Sequence, residues 1–169
     1  MGWVISAKSD RQSEKSGQHG YHLFCSCHGA AHLWLCLLYT SKGRLNFPAK
    51  LREDLGDTFV LTKGFDDKCL LVYSMEEWKN FEDKVKSLPM SKARNLQRFF
   101  FASATEIEPD KQGRIVVPAV LREYALLDKD VMVIGASNHC EIWSKQRWDE
   151  ICAELDTTSI VDIMDEIGF

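Results

Sequence analysis

The sequence predicts an α+β fold made of two tandem copies of one strand-rich unit, each carrying a short and a longer helix. Three observations carry this. The run Ser41-Lys-Gly-Arg-Leu-Asn-Phe-Pro-Ala-Lys-Leu-Arg-Glu53 returns 70 positions later as Lys111-Gln-Gly-Arg-Ile-Val-Val-Pro-Ala-Val-Leu-Arg-Glu123. Gly43, Arg44, Pro48, Ala49, Leu51, Arg52 and Glu53 all recur unchanged at that offset. Further on, Tyr73 falls on Trp143, Ser74 on Ser144, Trp78 on Trp148, Phe81 on Ile151 and Val85 on Leu155. Lastly, 169 residues with 45% apolar and 27% charged side chains suit one globular domain or two small ones. Two copies are too few for a solenoid, so they are expected to pair into one pseudo-symmetric unit.

Each copy repeats the same order of elements. A short strand enters a turn closed by Gly43 or Gly113, and a second strand leaves as Arg44-Leu-Asn-Phe or Arg114-Ile-Val-Val. Asp110 and Gly113 suit the first and fourth positions of a type I hairpin turn. Pro48 and Pro118 end that strand and serve as the first residue of a short helix, where a missing N–H costs nothing. Apolar strands follow: Phe59-Val-Leu and Cys69-Leu-Leu-Val-Tyr, then Val131-Met-Val-Ile and Cys140-Glu-Ile-Trp.

Longer helices close the copies. Ser74 and Glu77 make a capping box, Trp78, Phe81, Val85 and Leu88 share a helical face, and Pro89 stops the helix. Ser144 caps its counterpart, whose face is Trp148, Ile151, Cys152 and Leu155. A connecting helix over about Ser91 to Phe101 carries Lys92, Arg94 and Arg98. From Thr157 onward, Ile160, Val161, Ile163, Met164 and Ile167 among acidic residues predict one more amphipathic turn or two.

The first 39 residues read differently. They hold four of the five His, three of the six Cys and only five Asp, Glu, Lys or Arg. Residues 1–20 lack periodic apolar pattern and read as a flexible tail. Cys25-Ser-Cys27-His28 with His32 invites a zinc reading, but Cys25 and Cys27 are spaced too tightly for a structural site. The apolar run Ala30 to Tyr39 comes late for a signal peptide and meets Lys42 and Arg44 where a cleavage site should lie. At ten residues it is also too short to span a bilayer, which excludes a membrane-spanning reading.

Charge narrows the partners. The net of −4 is segregated: 149–169 holds seven acidic residues and no Lys or Arg, leaving 1–148 at +3. A basic body with an acidic tail is compatible with nucleic acid. The six Cys have no framework spacing, which fits free thiols in a reducing cytosol.

The repeats supply no matched nucleophile and base. His139 stands alone, Cys69 and Cys140 sit in apolar strand patterns as core residues, and there is no P-loop, dinucleotide fingerprint or metal constellation. No enzyme activity and no cofactor is expected. What recurs is a Gly-Arg hairpin tip: Lys42 and Arg44 in the first copy, Lys111, Gln112 and Arg114 in the second. Arginine can donate a bidentate pair to guanine, while lysine contacts phosphate. The same arginines could instead be surface salt-bridge residues that hold the turn. Composition and periodicity leave both readings open.

The run from Ser41 to Glu53, the Phe99-Phe-Phe-Ala-Ser-Ala-Thr-Glu segment leading into Asp110-Lys-Gln-Gly-Arg, and Glu141-Ile-Trp-Ser-Lys-Gln-Arg-Trp148 resemble the bacterial MraZ family. The likeness covers about residues 40–155. It implies two tandem AbrB-like swapped-hairpin β-barrel repeats, assembly into homo-oligomeric rings, and binding of double-stranded DNA at promoter repeats. It also implies a regulator, usually a repressor, of the division and cell wall gene cluster, located in the cytoplasm at the nucleoid. An Asp-x-x-x-Arg motif in each repeat is implied to bind DNA, and Asp110 and Arg114 match it in the second copy. In the first copy Thr40 stands in place of Asp while Arg44 is kept, so that tip is expected to form but to be less rigid. Residues 1–39 match nothing in the family's start, which fits an altered start, a fusion or a frame error upstream. Leu33 to Tyr39 can substitute for the missing first strand.

The expected organisation is an extension over 1–32, a first repeat over 33–89, a linker helix over 90–102, a second repeat over 103–156 and an acidic tail over 157–169. Arg44 and Arg114 are expected to read bases, with Lys42, Lys111 and Gln112 assisting and Thr40, Gly43, Asp110 and Gly113 shaping the turns. Trp78, Phe81, Trp148 and Ile151 are expected to exceed what so small a fold covers internally and so to mark subunit contacts. The contrasting reading is an assembly module, or an AbrB-like antitoxin, that touches no DNA. No membrane or small-molecule partner is expected.

Overall fold

The computed structural model describes residues 33–39, 43–65, 67–154, 157–166 and 168. The extension expected over 1–32 lies outside the described residues, as do Thr40 and Lys42. The first copy runs β1 (Leu33–Tyr39), β2 (Arg44–Asn46), α1 (Ala49–Leu55), β3 (Phe59–Lys63), β4 (Leu70–Ser74) and α2 (Met75–Lys86). The connector is α3 (Met90–Leu96), which passes directly into a π-helical turn over Gln97–Phe101. The second copy runs β5 (Thr105–Ile107), β6 (Arg114–Val116), α4 (Ala119–Tyr124), β7 (Asp130–Ala136), β8 (His139–Ser144) and α5 (Lys145–Glu154), and α6 (Thr157–Glu166) follows.

Local signals place most boundaries. The Ser74 hydroxyl accepts from the Glu77 N–H at 3.2 Å, and Ser144 from Arg147 N–H at 3.2 Å, so both longer helices start at their serines. The prolines sit one residue earlier than the sequence predicts. Pro48 (φ −57, ψ 132) stays extended outside α1, and its carbonyl accepts the first helical bond from Arg52 N–H at 3.1 Å. Pro118 does the same for α4.

The strands form two sheets that share β1, and through it they hydrogen-bond in the order β5-β3-β4-β8-β7-β1-β2-β6. Four of these pairings cross between copies. β1 pairs with β7, β5 with β3, β2 with β6 and β4 with β8, all antiparallel. The first strand of each copy therefore lies against the third strand of the other. The repeat is not a rigid translation. Lys63 faces Leu70 and Gly135 faces Cys140, so β3 and β7 correspond at an offset of 72 although β4 and β8 keep 70. The second copy has a two-residue turn, Ser137-Asn138, where the first has a longer loop.

The central strands are buried on both faces. Phe59, Leu61, Leu70, Val72, Val131, Val133, Cys140 and Ile142 point into one core with Leu45, Ile115, and Leu51 and Leu121 from α1 and α4. The alternate residues Val60, Cys69, Leu71, Met132 and Trp143 build a second core under α2, α5 and the π-helical turn. Burial on both faces explains why these strands read as near-continuous apolar runs.

This second core corrects the expectation of surplus apolar surface at Trp78, which is 7% exposed. Phe81, Trp148 and Ile151 are partly buried against the same core. Trp78 meets Phe101 at 5.5 Å and Phe81 meets Phe100 at 5.2 Å, both edge-on, so the connector supplies the cover. Large apolar side chains are exposed at Met75 on α2, at Leu88 just after it, at Phe65, Met90, Leu96, Val116, Val120 and Leu126, and, on α6, at Ile160, Val161, Ile163 and Met164.

Candidate nucleic-acid interface

The two Gly-Arg tips meet on one two-stranded ribbon. In the β2–β6 pair, Arg44 stands opposite Val116, Leu45 opposite Ile115, and Asn46 opposite Arg114. Leu45 and Ile115 are both 0% exposed, so the alternation of a strand turns Arg44, Asn46, Arg114 and Val116 to the opposite, outer face. Arg44 and Arg114 thus form a diagonal cross-strand pair, which places their Cβ atoms about 7–8 Å apart. A ribbon of this width fits a major groove.

Each tip is locked by the other copy. Gly43 (φ 60) and Gly113 (φ 74) are buried in the left-handed region. The Gly113 carbonyl accepts from Phe47 N–H at 3.2 Å, and the Gly43 carbonyl accepts from Val117 N–H at 2.8 Å. A Cβ on Gly113 would stand 2.6 Å from Arg52 Nη2, and one on Gly43 would stand 2.7 Å from the Val117 oxygen and 3.0 Å from Arg122 Nε. Arg52 Nε donates to the Phe47 carbonyl at 3.3 Å and Arg122 Nε to the Val117 carbonyl at 3.2 Å. The recurring helix arginines therefore buttress the tips across the pseudo-two-fold axis. Their identity at the repeat offset was the available signal; what they touch is set by cross-copy pairing, and sequence reasoning missed it.

The second tip is further ordered by Asp110. One carboxylate oxygen accepts from the Gln112 N–H at 2.9 Å and the Arg114 N–H at 3.0 Å, and the other pairs with Arg114 Nε at 2.8 Å and Nη2 at 2.7 Å. The turn closes with Gly113 N–H donating to the Asp110 carbonyl at 2.8 Å, as the type I reading expects. The Arg114 guanidinium and backbone N–H hold the Asp110 carboxyl at about 2, well below its ordinary value. Arg114 is thus aimed as well as charged: Asp110 occupies one edge of the guanidinium. Lys111 and Gln112 are exposed at the tip. In the first copy, no partner for the Arg44 side chain is found among the described residues, and Thr40 and Lys42 lie outside them. Lys92, Arg94 and Arg98 of the connector are exposed.

Nothing in the cores adds a reactive centre. Burial pushes the Cys140 thiol up to about 12, so it stays protonated. His139 is not alone as its sequence setting implied. It stacks on Tyr73 at 5.3 Å, with Nε2 3.3 Å from a Glu141 oxygen, and Trp143 Nε1 donates to the same carboxylate at 2.8 Å. No group of three or more metal-ligating side chains occurs among the described residues. No described helix is long and apolar enough to cross a membrane.

Comparison with known proteins agrees with this pattern of halves. The family model described as "MraZ protein, putative antitoxin-like" matches twice, over residues 41–99 and 100–166. A "Transcriptional regulator MraZ" of Caldanaerobacter subterraneus subsp. tengcongensis is 56% identical over 120 residues, covering 70% of this chain and 83% of its own. One of Thermoanaerobacter sp. (strain X514) is 53% identical over 132 residues, covering 76% and 92%. One of Heliobacterium modesticaldum is 60% identical over 111 residues, covering 64% and 77%.

Proposed function

Since this chain belongs to the MraZ family, we propose that it is a DNA-binding transcriptional regulator whose β2–β6 ribbon enters the major groove. The observation that carries the reading is the diagonal placement of Arg44 and Arg114 on the outer face of that ribbon. Each arginine presents N–H donors that match guanine O6 and N7, and Lys42, Lys111 and Gln112 add phosphate or base-edge contacts. Gly43, Gly113, Asp110 and Thr40 shape the turns that aim them. The cross-copy strand pairing supports a closed swapped-hairpin barrel in which the repeats over 33–89 and 103–156 act as one unit joined by 90–102. In this reading the protein is no enzyme and acts in the cytoplasm at the nucleoid. There it represses the division and cell wall gene cluster as a homo-oligomeric ring that engages several promoter repeats at once, gaining avidity from weak single contacts.

The test is a titration of the full chain against random and repeat-containing duplexes at two salt concentrations. Removing one base-reading arginine is expected to cost about 1–3 kcal/mol of discrimination, whereas Lys111→Ala weakens all sequences alike and lowers the salt slope by about one. If Arg44→Ala with Arg114→Ala binds the repeats as tightly as the parent at equal salt, the assignment fails. Absence of any complex at low salt would instead favour an assembly module without DNA.

A further inference from the structure

We propose that Asn46 and Val116 set the base preference between the two arginines and make the two half-sites of the ribbon unlike. The proposal rests on the ribbon's being the DNA-contacting element and names what else on it discriminates. The register relates Arg44 to Arg114 and Asn46 to Val116 by the same pseudo-two-fold axis, which passes between Leu45 and Ile115. The arginines obey that symmetry. The other pair breaks it, with an exposed amide on one strand and a valine, 54% exposed, on the other.

The outer face gives Val116 no core to fill, because the inward positions are taken by Leu45 and Ile115. Its chemistry suits one feature of a groove, the thymine methyl group, while the Asn46 amide can donate and accept together, as adenine N6 and N7 require. A ribbon symmetric at these positions would select a true inverted repeat. This ribbon selects an imperfect one, with a polar reading in one half and an apolar reading in the other. The asymmetry continues at the flanking helices, where Lys50 is exposed on α1 and Val120 is 67% exposed on α4.

The experiment is selection from a random duplex pool by the full chain, by Val116→Asn and by Asn46→Val, with a thermal melt of each to confirm folding. The parent is expected to enrich a site with unlike halves. Val116→Asn is expected to make the halves alike by changing the preferred base in one half about tenfold, and Asn46→Val to do so in the other sense. Two variants are used so that a poor fold in one leaves the other to decide. If both select the parent's site unchanged while Arg44→Ala and Arg114→Ala lose selection, the ribbon reading stands and this proposal is wrong. If the arginine variants also select the parent's site at undiminished affinity, the ribbon reading itself is wrong and this proposal falls with it.

Discussion

Arg52 of the first copy backs Gly113 of the second, with Nη2 2.6 Å from where a Cβ on that glycine would stand. The mirror contact sets Arg122 behind Gly43, but there the nearest atom is the backbone oxygen of Val117 at 2.7 Å. A flexible guanidinium can retreat, whereas a backbone carbonyl held beside the ribbon cannot.

That difference makes the two tip glycines unequal. Gly113→Ala is expected to cost about 1–2 kcal/mol from its left-handed backbone, and Arg52→Ala in the same chain should relieve the added clash. Gly43→Ala should cost more, and Arg122→Ala should not rescue it. Urea unfolding of the four variants and the two doubles, read as double-mutant cycles, checks this. Equal rescue at both tips would contradict the geometry.

Asp110 gives a pH signature. Its folded value is lowered from an ordinary 3.8 to about 2, chiefly by the Arg114 guanidinium. A depressed carboxylate contributes order above its unfolded value and loses it as pH falls through the folded one. The second tip should therefore keep its Asp110–Arg114 pairing through mild acid and release it as pH falls through about 2, while the stability the pair contributes declines between about pH 4 and pH 2. The carboxyl carbon shift of Asp110, followed by NMR, should turn near pH 2 in the parent and move back toward 3.8 in Arg114→Ala.

Thr62 ties the connector to the sheet. It is 0% exposed, and its hydroxyl donates to the Phe100 carbonyl at 2.9 Å and lies 3.1 Å from Ser103 Oγ. Thr62→Val keeps the shape and deletes the bonds, at an expected cost of about 1 kcal/mol. Amide exchange over the π-helical turn should accelerate while that of β7 and β8 stays as in the parent.

Phe59 is 0% exposed and meets Phe47 at a ring distance of 5.3 Å, within the core that both copies share. Phe59→Ala is expected to cost about 3–5 kcal/mol. Because the core is shared, unfolding should remain a single transition at all probes. Separate transitions for the two copies would show that the halves are energetically independent.

The repeated residues made the element order legible: β2 and β6, α1 and α4, and both serine caps fall where the offset of 70 puts them. Leu33–Tyr39 does form a strand, paired to β2 and β7. The offset of 72 between β3 and β7 was not legible, because these strands share burial pattern without sharing residues, and compensating changes of loop length leave no trace on either side. The cover over part of the α2 face was not legible for a related reason. The burial of Trp78 and Phe81 is hidden from the sequence, which does not say that Phe100 and Phe101 fold back over them. At the tips, Gly43 and Arg44 were visible as a pair, but the role of Arg52 and Arg122 depends on contacts between residues some 60 to 80 positions apart.

The exchange of strands between copies also governs how the protein can be made. β1 has its long partner in β7, and β3 receives β5, so the first copy leaves the ribosome before the strands that complete it exist. At about 5–20 residues per second, the wait for the 70 or so residues of the second copy is of the order of 4–14 s. During that time the nascent chain presents open strand edges next to sister chains on the same messenger. A neighbour's second copy offers the same edges as its own, so crowded translation favours exchange between chains, and slow or sparse translation favours closure within one.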